Sequence, residues 1–143
     1  MNDVIGAKPP MWFRIVAVLA VLWNLVGVYF YLVHVGAVAG PEMSDAERTM
    51  MEAMPVWTTA AFAVGVFAGL LGSVGLLVAK SWARLLLWLS LLALILLEGW
   101  WMFLSGAADT IGPSAYAMPA LVVIIAILLV WLANVGVRRG WLT

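Results

Sequence analysis

Apolar residues run almost unbroken through four stretches of this chain, at about 11–38, 55–79, 82–104 and 114–137. Each is long enough to cross a hydrocarbon core of about 30 Å, which takes about 20 helical residues. Turn-forming residues punctuate the breaks: Gly40-Pro41, Lys80-Ser81 and Gly112-Pro113. Pro9-Pro10 precedes the first stretch, and Arg138-Arg139 closes the last. The pattern predicts an all-α polytopic membrane protein: a four-transmembrane-helix bundle forming a single transmembrane domain over 1–143.

The first long break departs from this pattern. Ser44-Asp45-Ala46-Glu47 fits a capping box, in which the serine caps a helix start and the glutamate returns to the cap backbone. A short amphipathic helix is therefore predicted over 44–54, with Met43, Met50, Met51 and Met54 as its apolar side. Such a helix lies on the bilayer surface or across the bundle mouth. As a lid, its flexible thioethers would touch a ligand.

Composition agrees with lipid as the solvent. Of 143 residues, 66% are apolar and 10% charged, against about 45–50% and 25% in soluble domains. The formal net charge is zero, but its distribution is lopsided. In a four-span topology Lys8, Arg14, Lys80, Arg84, Arg138 and Arg139 fall on one side, and only Arg48 on the other. The positive-inside rule then places both termini in the cytoplasm, with a bacterial inner membrane as the expected location. Glu42, Asp45, Glu47, Glu52 and Asp109 fall in the outer loops. Lys8 and Arg14 before an apolar run, with Ala37-Val38-Ala39 beyond it, resemble a signal peptide. The run exceeds the 7–15 residues of a signal core and contains Asn24, so it is read as a retained span.

Packing faces are also legible. Ala61, Gly65, Gly69 and Gly72 share a stripe on the second span, the small-residue pattern that lets helix backbones approach in lipid. They are expected to pack inside the bundle or to hold a partner. Asn24 is expected to bridge helices by a hydrogen bond. The nine tryptophans read mainly as interfacial anchors and packing residues.

Chemistry centres on Glu98, the only acid within a span. A carboxylate near a bilayer centre costs on the order of 3 kcal/mol, less toward an end. Glu98 is expected about 9 Å below the outer surface, from the helical rise. Tyr31, His34, Thr58, Trp101 and Tyr116 are expected near the same depth, from all four spans. If the faces converge, these residues form an outward-facing polar pocket around Glu98, roofed by the methionine-bearing loop. Alternatively, Glu98 is a structural hydrogen-bonding group tied to Tyr31, His34 or Tyr116. Without cysteine, and with a single histidine, thiolate and multi-histidine metal sites are excluded within one copy. No cofactor is expected. An intramembrane lipid enzyme using His34 and Glu98 as acid and base is disfavoured, since no nucleophile–base spacing accompanies them.

Trp23-Asn24-Leu25-Val26-Gly27, Met54-Pro55-Val56-Trp57, and Gly69-Leu70-Leu71-Gly72-Ser73 before Lys80-Ser81-Trp82-Ala83 together give the chain its family likeness. It resembles small bacterial four-span membrane proteins of uncharacterised function, sometimes loosely labelled sugar transporters. The resemblance implies the architecture and transfers no site. Four helices with one membrane carboxylate are also similar to the small multidrug transporters, although here the acid stands in the third helix rather than the first.

The expected function is therefore binding or transport of a small molecule or ion through the Glu98 pocket. The alternative is an accessory or scaffold subunit packing through its glycine-rich second span. Membrane lipids are the expected partners, with a homo-oligomer or a membrane protein also possible. The short basic segments suit lipid headgroups better than nucleic acid.

Overall fold

The computed structural model describes residues 7–143, the side chains at 110 and 111 excepted. The chain is all-helical among these residues, and four helices are long and apolar enough to cross a membrane. They are α1 (Met11–His34), α3 (Val56–Leu77), α4 (Ala83–Phe103) and α6 (Ala117–Arg138). The loop helix α2 (Asp45–Glu52) joins α1 to α3. Between α4 and α6 come α5 (Ala107–Ile111) and a 3-10 turn over Pro113–Tyr116. The protein is thus an integral, multi-pass four-helix membrane bundle.

α3 is the hub, packing on α4 and on α1, while α4 packs in turn on α6. Half of the spanning window of α3 is buried, against 17% for α1, which marks α1 as peripheral. The small residues explain the hub. A Cβ added to Gly72 would lie 2.7 Å from Leu87 Cγ, and one on Gly65 would lie 2.6 Å from Leu94 Cδ2. Between these, Gly69 faces Ser90. Each step down α3 is matched by an equal step up α4, so the leucines of one helix seat over the glycines of the other in antiparallel register. Gly69 also faces Asn24 of α1. The stripe thus packs inside the bundle, the first of its two expected uses, and the alternative scaffold reading loses that surface.

Polar groups in the middle of the bundle are bonded across helices. Asn24 Nδ2 donates to Ala20 O (2.9 Å) and to Ser73 Oγ (3.1 Å), joining α1 to α3. Ser73 Oγ donates to Gly69 O (2.7 Å), and Ser90 Oγ donates to Gly65 O (2.6 Å), joining α4 to α3. Ala61 is half-buried against the apolar core.

Three spans end in the same device. α1 stops at His34, four residues before the expected boundary, because Gly36 takes a left-handed φ of +79°. Gly36 and Ala37 amides then bond back to Val33 and Leu32 carbonyls, a Schellman motif. Gly140 ends α6 in the same way. α3 uses Ala79 at φ +61°, a position that favours glycine.

At the far end of the bundle, the capping box of α2 is formed. Ser44 N–H donates to Glu47 Oε2 (2.8 Å), and Glu47 N–H donates to Ser44 Oγ (3.2 Å). Ser44 Oγ also donates to Glu47 Oε2 (3.0 Å), and the two bonds into this carboxylate, the backbone one first, hold it below its ordinary pKa. Met50 of α2 is buried with Ala107 and Ala115, so the two loops on this side pack as one cap. α5 and the 3-10 turn were not legible from hydrophobic pattern. Pro119 falls in the first turn of α6, where a missing N–H loses no bond.

Candidate functional site

Two adjoining cavities open on the loop side of the bundle, of about 440 Å³ and 380 Å³. The outer one reaches from His34 and Phe62 to Met43, Met51 and Met54 of the loop and to Trp101. The deeper one reaches Trp23, Asn24 and Gly27 of α1, with Leu94 and Val122 opposite. Phe30, Phe62, Glu98 and Met118 line both, and so form the passage between them. All four spanning helices contribute to this lining.

Glu98 is placed by α4, two turns beyond Ser90 on the same helix. Ser90 and Leu94 lock that helix onto α3, which sets the direction of the next turn. The Glu98 side chain is half-buried. Among the described residues none hydrogen-bonds or ion-pairs with its carboxyl. The surroundings are chiefly phenylalanine, methionine and leucine, so the pocket is apolar with one acid, not the polar pocket expected.

His34 stands at the end of α1 and lines the outer cavity. Its Nε2 hydrogen-bonds Thr59 Oγ1 at 3.1 Å, and its ring tilts against Phe62 at 5.6 Å. The partner of His34 is thus a threonine of α3 rather than Glu98. Trp101 also lines the outer cavity, and its Nε1 donates to Ala115 O at 3.3 Å. Ser105 Oγ caps back onto Trp101 O. Trp101 is therefore oriented by both ends of the α4–α6 loop.

The other expected members stand elsewhere. Tyr31 packs edge-on between Phe62 (5.5 Å) and Phe67 (5.6 Å). Thr58 is fully buried, and its Oγ1 donates to Pro55 O at 2.5 Å in the first turn of α3. Tyr116 is 39% exposed on the 3-10 turn. None of the three is a lining residue of either cavity. A common depth does not set where a side chain points, and the helix faces expected to converge do not bring these three to the cavities. The expected structural bond from Glu98 to Tyr31, His34 or Tyr116 is likewise not made.

The residues that sequence reasoning missed are Thr59, Phe30, Phe62 and Met118. Thr59 follows Thr58 by one residue, 100° round the helix, and only helix orientation selects between them. The other three are apolar side chains in apolar spans and carry no distinguishing signal.

Three of the lid methionines, Met43, Met51 and Met54, line the outer cavity, and Met50 instead anchors the cap. No group of histidine and carboxylates among the described residues is arranged to hold a metal ion. Compared with known proteins, the chain matches no family model, no curated protein and no solved structure.

Proposed function

We propose that this membrane protein binds, and carries within the membrane, a small and mostly apolar molecule bearing one cationic or hydrogen-bond-donating group, with Glu98 as its polar contact. One observation carries this reading: an acid within a span lines two adjoining cavities and has no hydrogen-bond partner among the described residues. Polar groups in such surroundings cost free energy unless something complements them. Apolar walls with a single placed polar group are what small-molecule sites look like. Flexible methionines at the mouth suit ligands of varied shape. The clustering of basic residues at the opposite end supports a cavity mouth facing outward from a bacterial inner membrane, with both termini cytoplasmic. Alternating access usually relies on repeated halves, so a second copy of the chain belongs to the transport form of this reading.

The test uses tetraphenylphosphonium, an apolar cation, added to purified protein in weakly buffered detergent. Binding is expected to displace a proton from the Glu98 carboxyl in the wild type. Glu98→Gln is expected to keep its helical circular dichroism, to release no proton and to lose affinity at least about tenfold, as charge-assisted contacts imply. Equal proton release and equal affinity in the two proteins would overturn the reading.

A further inference from the structure

A cleft of about 710 Å³ lies at the opposite end of the bundle, where α1 begins and α6 ends. Trp12 stands on one side, and Trp131, Val135, Arg138, Arg139 and Trp141 on the other. Trp131, Val135 and Arg138 recur at helical spacing and share one face of α6. The face changes character along its length. Trp131, 54% exposed, lies about 10 Å deeper than Arg138 by the helical rise. Its apolar ring and Val135 form the deep wall, and the two arginines form the rim.

The rim is built rather than accidental. The Arg139 guanidinium sits 5.8 Å over the Trp141 ring, and Trp141 meets Trp12 edge-on at 5.8 Å. Phe13, fully buried, backs Trp141 at 5.3 Å. Among the described residues no acidic side chain pairs with either arginine. A helix C-terminus ordinarily repels an anion. Here the carbonyls of Val135, Gly136 and Val137 accept bonds from the amides of Arg139, Trp141 and Gly140. The left-handed turn at Gly140 thereby folds the chain back over the helix end and brings Trp141 beside Arg139. Lys8, Arg14, Lys80 and Arg84 stand at the same end of the bundle and add to the positive field.

We propose that this cleft binds one anionic phospholipid, its phosphodiester held by Arg138 and Arg139 and an acyl chain lying over Trp131 and Val135. A free anion would use the rim alone. A lipid uses the rim and the deep wall together, and tryptophans at headgroup level mark the depth at which the two meet. The site is separate from the Glu98 cavities and independent of their function.

The experiment titrates purified protein in mild detergent with dioleoyl phosphatidylglycerol or dioleoyl phosphatidylcholine and counts retained lipid by native mass spectrometry. The wild type is expected to prefer the anionic lipid by at least about tenfold, from two cations at the headgroup. Arg138→Gln combined with Arg139→Gln is expected to abolish that preference, and Trp131→Leu to weaken retention of both lipids. Millimolar inorganic phosphate is expected not to displace the lipid. Equal retention of the two lipids by the wild type, or an unchanged preference in the double variant, would overturn the proposal. Displacement by phosphate would also overturn it, marking a free-anion site. Both arginines are exposed, so the double variant is expected to melt with the wild type. If it melts early, the wild-type preference with and without phosphate still decides.

Discussion

Phe13 and Phe30 are the same residue type on the same helix and have opposite fates. Phe13, near the termini, is fully buried, and a Cβ on Gly136 of α6 would lie 3.2 Å from its ring. Phe30, near the loops, is 49% exposed and borders both cavities with Met118 of α6. At one end a glycine opposite the ring lets α1 and α6 close. At the other, Glu98 stands between the apolar surfaces. Closing them over it would bury a carboxyl without a partner, which costs more than the added apolar contact returns. The lesson is local: around Phe13 the two helices meet on a buried ring, while around Phe30 the space beside the one intramembrane acid stays open.

Substitution tests this contrast most strongly at the two rings. Phe13→Ala is expected to lower unfolding free energy by about 3–5 kcal/mol, through lost packing and a cavity. Phe30→Ala is expected to cost about 0.5 kcal/mol, since no packed site is emptied. Denaturant titration followed by circular dichroism checks both, and similar costs would break the contrast. In the middle of the bundle, Gly69→Leu is expected to cost about 1–3 kcal/mol, because its side chain meets Asn24 and Ser90. Gly99→Ala, with open space at its Cβ, is expected to stabilise α4 by up to about 1 kcal/mol. The same titration separates them. Asn24→Ala removes the bond to Ser73 and is expected to cost about 0.6–1.7 kcal/mol, the range of interhelical hydrogen bonds in lipid.

The smallest effect is expected in the loop cap. The Glu47 carboxyl titrates below its ordinary range because Ser44 donates to it. A depressed folded pKa adds stability above the unfolded carboxylate range, and that stability is lost as pH falls through the folded value. Protection of the Glu47 and Arg48 amides, taken against intrinsic exchange at each pH, is expected to fall on acidification, while protection of α3 amides stays unchanged. Ser44→Ala is expected to quicken the same amides at neutral pH and to remove the acid dependence. Protection of these amides that ignores pH in the wild type would show that the cap does not hold α2.

Much of the architecture was legible because lipid imposes a simple rule. Backbone groups must be satisfied within each span, so long apolar runs become helices. The α2 cap was legible because Ser44 and Glu47 bond to each other across three residues. The end of α1 was less so, since Gly36 lies within an apolar run and only its φ reveals the stop. α5 is too short for periodicity to mark. At the candidate site, Glu98, His34 and Trp101 were legible as polar or aromatic side chains at the right depth, and they do line one cavity. Tyr31, Thr58 and Tyr116 shared that depth but not the direction.

Sequence by itself determined the number of spans, the loop cap, the small-residue stripe and the presence of one costly acid. These follow from solvation and from contacts within a few residues, which local order encodes. Tertiary structure alone decided which helices the glycines admit, that Thr59 rather than Glu98 meets His34, and that the space beside Glu98 is apolar. It also decided that Trp12 comes to Trp141 beside two arginines. Those outcomes depend on the rotation of each helix about its axis. That rotation is set by interlocking side chains from different spans, and no single stretch of the chain contains it.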